Sequence, residues 1–420
     1  MSYYTAPISL SLFTIPGRST RMNRISAETQ VLKPELAPVS TAFTFTQVEG
    51  TSGEVRVLLV TDYRGAHIEA IDLADLGAPV GADVFDASAA VGDEALKRAA
   101  TTRGSRSRYV IDDLLPSGAM VDKHLATGAN FLEHAKEASS RTVFNFPKFG
   151  KPTPARTTLV VKPGTLMDYE AEISVRFDRD IRSIADFRAA RMGFFLCGDF
   201  TDRARLVHMI DSKNIRSARG FSDAKSGADY FPTGPFLVIP HNWRTFIQKE
   251  RIVTYLNGEL RQDARGGEMI LDFEALVAKA LTNGGGGNYC FRGKPIPLLD
   301  DETIARGSAV MSGTGEGVIF MPPTWEDKLG GILDHILLGR FLHEKSPFNS
   351  IANRFVRNEL KAERYMRVGD KVVHESSSMG AVHVKLIAPD DPRQNIRKPG
   401  SSVPSIDDET SLTCMSGEHR

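Results

Sequence analysis

Cysteine is scarce in this chain of 420 residues: the three present, Cys197, Cys290 and Cys414, lie far apart. That spacing supplies neither a disulfide framework nor the paired ligands of a structural zinc site, and it suits a reducing compartment, so the expected location is cytoplasmic. Net charge is lacking too. Lys plus Arg and Asp plus Glu both number 52, which removes the bulk attraction that draws a protein to nucleic acid or to an anionic membrane. Neither partner is expected. No apolar run approaches the ~18 residues of a transmembrane helix, and the start lacks the uninterrupted apolar stretch of a secretory signal. Arg18, Arg21 and Arg24 precede the first acid, Glu28. They are a faint mark of an organelle transit segment, although a frayed terminus is the ordinary reading of such a stretch.

What is present is concentrated in one strand-like stretch, Asp168-Tyr169-Glu170-Ala171-Glu172-Ile173-Ser174-Val175. Side chains alternate along a strand, so Glu170, Glu172 and Ser174 share one face and Tyr169, Ala171, Ile173 and Val175 the other. Two adjacent carboxylates repel unless a hard cation or a basic group stands between them. A lone Glu-x-Glu is usually a solvated strand face. Here the apolar run Met192 to Cys197 follows and ends in Gly198-Asp199, placing a third acid at the mouth of a buried strand. Glu170, Glu172 and Asp199 together offer only oxygen ligands, which suits Mg²⁺, Mn²⁺ or Ca²⁺ rather than zinc or copper. Further upstream, Thr127 to Ala138 is expected to pass from a loop into a helix with Asn130 as its N-cap. His134 and Glu137 then fall three apart on one face. Taken alone, these two residues favour a structural pair.

Several motifs stand in order along the chain. Gly128-Ala129-Asn130-Phe131-Leu132-Glu133-His134 with Glu137 comes first, then Glu170-Ala171-Glu172, then Asp199 with Arg203, then Lys225-Ser226 running to Asp229-Tyr230-Phe231-Pro232-Thr233-Gly234-Pro235. Leu256-Asn257-Gly258-Glu259 with Gln262, Ser312-Gly313-Thr314-Gly315-Glu316-Gly317, and Val368-Gly369-Asp370 with Met379-Gly380 complete the series. The succession resembles the fumarylacetoacetate hydrolase family over roughly residues 120 to 387, and it leaves out the N-terminal quarter. The resemblance implies a mixed α/β, strand-rich fold, with a C-terminal β-sandwich-roll domain and a small N-terminal β-containing domain. It further implies a homodimer that acts on a small keto acid, with Glu170, Glu172 and Asp199 holding Mg²⁺. His134 oriented by Glu137 would activate water, Lys225 and Arg203 would stabilise developing negative charge, and Gly313, Thr314 and Gln262 would line the pocket. The reaction implied is hydrolysis of a carbon–carbon bond in a 1,3-dicarbonyl such as an acylpyruvate or a fumarylacetoacetate-like compound. Decarboxylation of a β-keto acid or keto–enol tautomerisation could use the same scaffold, and a catalytically silent interaction protein is the alternative of another class. A nuclease, which could also use three acids, is disfavoured by the neutral charge balance.

The chain departs from the family pattern in several places. Thr127 occupies the position where some members have a further Asp, Phe131 replaces Tyr, Asp202 adds an acid beside Arg203, and Lys225 and Asp229 are one residue further apart than usual. Gly315 replaces a Pro.

The expected organisation is a flexible segment 1–39, a small domain 40–118, a catalytic domain 119–387 and a disordered tail 388–420 poor in apolar residues. Within the small domain, Val55 to Val60 and Ala66 to Ile71 read as strands and Ala87 to Ala100 as helix. Asn257-Gly258 marks a hairpin. Gly284 to Gly287 lacks the Lys-Ser/Thr of a phosphate loop. Gly313 to Gly317 is not a dinucleotide fingerprint, because Val318 to Pro323 cannot be the helix that motif needs. A helical insertion is expected at about 321–365. Trp325, Leu329, Ile332, Leu333, Ile336, Leu337 and Phe341 recur at helical spacing, and Ser346-Pro347 opens a second helix carrying Ile351, Phe355 and Val356. The insertion is expected either to pack on its own subunit, to cover the pocket, or to extend a dimer contact.

Overall fold

A computed structural model describes residues 31–102, 104, 106–137, 142–211, 214–283, 289–338 and 346–389. The transit-like N-terminal arginines, Gly284 to Gly287, Phe341, Cys414 and all but the start of the tail lie outside the described residues. From Pro34 onward the chain forms one unit.

Four strands open it: β1 (Ala42–Glu49), β2 (Val55–Tyr63), β3 (His67–Asp72) and β4 (Ser107–Val110). They pair antiparallel in sequence order as a meander, with a register shift in β2 between Val60 and Asp62 where it meets β3. The helical stretch expected at Ala87 to Ala100 is two helices, α1 (Val84–Val91) and α2 (Asp93–Thr101), broken at Gly92, whose φ of 81° no other residue type adopts readily. Then come β5 (Leu114–Leu115), β6 (Lys123–Gly128), α3 (Leu132–Glu137), β7 (Phe144–Phe149), β8 (Arg156–Val160), β9 (Met167–Asp168) and the central strand β10 (Ala171–Phe177). After α4 (Ile184–Ala189), β11 (Met192–Gly198) returns antiparallel to β10, so that Glu172 stands opposite Cys197. Next are β12 (Thr201–Asp202), α5 (Arg203–Met209), α6 (Phe221–Lys225) and β13 (Leu237–Pro240). The second half adds α7 (Trp243–Lys249), β14 (Arg251–Leu256), β15 (Glu259–Arg265), α8 (Phe273–Asn283), β16 (Tyr289–Phe291), β17 (Lys294–Ile296), β18 (Val310–Thr314), α9 (Trp325–Leu337), α10 (Phe348–Ala362), β19 (Lys371–Ser376) and β20 (Ala381–Ile387).

The large sheet runs β4-β3-β2-β1-β13-β11-β10-β18-β6-β7, with β5 on β1. The stretch 40–118, expected to stand apart, is therefore continuous with the rest: β1 hydrogen-bonds β13 from Ala42↔Pro240 to Phe45↔Leu237. A second sheet, β15-β14-β19-β20-β8, packs on one face. Between the sheets lie Ile173, Val175 and Leu196 with Ile252, Val372, Val382 and Val384. On the other face Phe195, Cys197 and Met311 pack with Phe85, Ala87 and Leu96 of the first two helices. Every residue of β10 is buried, so its polar set, Glu172, Ser174 and Arg176, must find partners inside the protein. Asn257 (φ 53°) and Gly258 (φ 86°) make the expected two-residue hairpin turn.

Candidate active site

The alternation read from the sequence places the acids as it should. β10 carries Glu172 with Glu170 just before it, and β11, its antiparallel neighbour, delivers Asp199 immediately past its end. All three are buried, and their ligand atoms lie within 4.8 Å of one another. The donor set is oxygen only, as a hard cation requires.

Three cations reach this cluster. Lys225, at the end of α6, sets Nζ 2.8 Å from Glu170 Oε2, Asp199 Oδ2 and Thr201 Oγ1. Arg203, at the start of α5, donates from Nε to Asp168 (2.9 Å) and from its terminal nitrogen to Glu170 Oε1 (2.5 Å). Lys148 donates to Asp199 Oδ1 at 2.7 Å and to the carbonyl of Lys225. Burial would raise the pKa of Glu170, but Lys225, Arg203 and His134 outweigh it and bring it down to about 2. Burial would neutralise Lys225, and Asp199 and Glu170 reverse that. Glu172 is left with the opposite balance. Burial, Asp199 and Glu170 all push it well above the usual carboxylate range. Its Oε2 accepts from the Gly313 amide at 2.9 Å, and its Oε1 is buried with no hydrogen-bond partner. A buried carboxyl oxygen without a partner is costly, and a cation bound at Glu170, Glu172 and Asp199 would remove that cost and favour the ionised form of Glu172.

His134 lies on α3 with Nδ1 3.6 Å from Glu137 Oε2, and that nitrogen has no hydrogen-bond partner. Glu137 instead accepts from the Gly317 amide at 3.2 and 3.3 Å. Asn130 does not cap the helix. Its side-chain amide donates to the carbonyls of Leu271 and Ser312 and accepts from the Leu271 amide, tying the start of α3 to β18. Gln262 and Thr314 are committed to protein groups. Gln262 accepts from the Ala171 amide and Thr254 and donates to Thr314 and the Gly315 carbonyl, while Thr314 donates to the Ala171 carbonyl. In this arrangement they hold β10 in place beside the triad. Thr127 accepts from Asn145 at 3.1 Å. Asp202, the extra acid, caps α5 by accepting from the Ala204 amide.

Two site residues escape the sequence reading. Asp168 is wholly buried and accepts from the amides of Tyr169, Ile319 and Phe320 as well as from Arg203. Lys148 is wholly buried on β7. The signal for it was available: Phe144, Phe146 and Lys148 share one strand face, and a lysine that continues an apolar face needs a buried anion.

Fold and site together define a strand-rich α/β protein built around a buried carboxylate triad. The family model for the fumarylacetoacetate hydrolase C-terminal domain matches residues 123–387, and the chain belongs to that family. An uncharacterized protein of Staphylococcus epidermidis is 25% identical over 216 residues, which cover 48% of this chain and 62% of the relative. The match thus spans about three-fifths of that relative's length. A Mycobacterium smegmatis protein provisionally assigned as HpcE shares the fold at TM-score 0.51 and 18% identity, covering 83% of this chain and 100% of its own. The 2-hydroxyhepta-2,4-diene-1,7-dioate isomerase of Mycobacterium marinum aligns at TM-score 0.46 and 15% identity, covering 83% of this chain and 100% of its own.

Proposed function

We propose that the protein is a divalent-cation-dependent hydrolase that cleaves a carbon–carbon bond in a 1,3-dicarbonyl acid such as an acylpyruvate. The observation that carries this reading is the partnerless Glu172 Oε1 within three buried carboxylates. Glu170, Glu172 and Asp199 would hold Mg²⁺, with Mn²⁺ or Ca²⁺ as substitutes, and the bound ion would polarise the substrate's carbonyl oxygens. Charge bears on the substrate. With Glu172 ionised on a bound cation, Asp168, Glu170, Glu172 and Asp199 face Lys148, Arg203 and Lys225, four acids against three bases, one negative charge before the ion itself is counted. A divalent ion overshoots by one, and an anionic ligand restores neutrality. That favours a keto acid over a neutral diketone.

His134 would take a proton from water, and the water oxygen would bond to the ketone carbon. The bond from that carbon to the central methylene then breaks, its electron pair leaves as an enolate, and protonation gives a carboxylic acid and an α-keto acid. Lys225 and Arg203, held by the acids, would stabilise the negative charge as it develops. One observation favours decarboxylation of a β-keto acid instead: the 3.6 Å gap between His134 and Glu137 leaves the water-activating pair unjoined.

Turnover of acetylpyruvate, oxaloacetate and fumarylacetoacetate with Mg²⁺ and with EDTA tests the proposal. Activity should vanish under chelation, and Glu172→Gln should weaken Mg²⁺ binding in calorimetry while sparing the fold. His134→Ala should slow hydrolysis by roughly 10² to 10⁴ and oxaloacetate decarboxylation far less. Full activity after exhaustive chelation would overturn the metal requirement, and equal losses on both substrates would remove His134 from the base role.

A further inference from the structure

α9 is inside out. Its buried residues are Asp327, Gly330, Gly331 and His335, whereas Trp325, Leu329, Ile332, Leu333, Ile336, Leu337 and the following Leu338 are 40 to 79% exposed. The orientation is fixed from within. Asp327 accepts from Asn358 at 2.8 Å, and Asp334 accepts from Arg357 at 2.8 Å and from Arg354 at 3.3 Å. A Cβ on Gly331 would come within 2.5 Å of the Ile351 Cα, so only glycine allows so close an approach to α10. Rolling the helix to bury its leucines would break all of these contacts. α10 lies between α9 and the body, where Ala352 and Phe355 pack with Leu166, Ala204 and Val207. The stripe therefore faces away from the candidate active site.

We infer that α9 docks antiparallel on α9 of a second copy of this chain. Trp325, Leu329, Ile332, Leu333 and Ile336 at that exposure present on the order of 600 Å², about what one partner contributes at the low end of a standard interface and at the upper end of the largest apolar patch of an ordinary monomer. The seam is also self-complementary. Trp325, Leu329, Ile332 and Ile336 are spaced four, three and four, a coiled-coil pattern that reads the same from either end. Reversed on itself, it sets Trp325 against Ile336 and Leu329 against Ile332, as a two-fold axis requires. The antiparallel sense opposes the two helix dipoles and separates the Glu326 and Asp327 carboxylates of the two copies. A membrane surface is a poorer occupant. The charged residues of the helix are Glu326, Asp327 and Asp334 against Lys328, and a membrane-surface helix carries an excess of Lys and Arg on a free polar face.

Sedimentation velocity of the full chain over a hundredfold concentration range tests this, with Leu329→Glu/Ile332→Glu as the variant and circular dichroism to confirm that it is folded. The wild type should associate through α9, and the variant should weaken that association at least tenfold. Mixing Leu329→Cys with Ile332→Cys chains under mild oxidation should yield the mixed cross-link in excess over either self-link. A monomer at every concentration, an assembly indifferent to the glutamates, or binding to phosphatidylserine vesicles in place of self-association would overturn the inference. None of these readouts depends on the reaction proposed above.

Discussion

Glu250 is a carboxylic acid 2% exposed whose contacts are Ser376 Oγ and the Ser378 amide, and burial raises its pKa from 4.5 to about 7. Because the folded value lies above the unfolded one, its contribution to stability is complete below about pH 4.5 and is lost as pH climbs through about 7. The loss by pH 8 is about 3 kcal/mol. Urea unfolding should show the wild type weakening from pH 5 to pH 8, and Glu250→Gln, which keeps the acceptor and removes the titration, should flatten that slope. An unchanged slope in the variant would mean that Glu250 is already ionised in the fold. Glu170 shows the converse, since it is equally enclosed but surrounded by Lys225 and Arg203. Sequence reading separates such cases poorly. A strand's alternation and an ordered set of motifs point to Glu170, Glu172, Asp199, Arg203 and Lys225, and the fold brings these five side chains together. Lys148 leaves a local trace, as a lysine continuing an apolar strand face, but which anion it meets does not, and Asp168 leaves none, since its partners Arg203, Ile319 and Phe320 lie 35 to 152 residues away.

At the scale of an element, the end of β18 and the turn after it link the triad to the helix bearing His134. Gly313 donates to Glu172, and Gly317 donates to Glu137. Gly317 has φ 95°, and a Cβ there would lie 2.0 Å from the Arg261 carbonyl oxygen, so a side chain must push the turn away from β15. Gly317→Ala is expected to release Glu137 and lower kcat by roughly 10- to 100-fold with little change in KM. Combined with His134→Ala it should add nothing, since both act through one group; additive losses would place Gly317 in a different role. The hairpin at Asn257-Gly258 was legible because its turn needs positive φ, and the two helices of the insertion were legible from their spacing. Which face of α9 turns inward was not. Burial of apolar residues is the usual guide, and here glycine contact and the paired Asp327 and Asp334 decide against it.

At the scale of the whole molecule, Arg176 on β10 is wholly buried and pairs with Asp83 at 2.7 Å, while it also donates to the Ser117 carbonyl. A chain beginning at Ala119 would strand that guanidinium and bare the β13 edge. Loss of a buried charge's partner alone costs about 3 to 5 kcal/mol. Such a chain should be insoluble or lack near-UV circular dichroism, whereas a monodisperse folded product would show that the meander is dispensable. The strand and helix pattern of residues 40–118 does not reveal the pairing of β1 with β13, because β-strand pairing ignores distance along the chain. That same pairing reaches into synthesis. Phe45 meets Leu237 across β1 and β13, 192 residues apart, so at ~5 to 20 residues per second the ribosome leaves the inner edge of the first meander open for roughly 10 to 40 s. During that interval Phe43 and Phe45 can already pack on Leu73, Phe85 and Leu96, but the backbone groups of Ala42 to Phe45 that later pair with β13 stay unpaired, an open strand edge on which a chaperone could act.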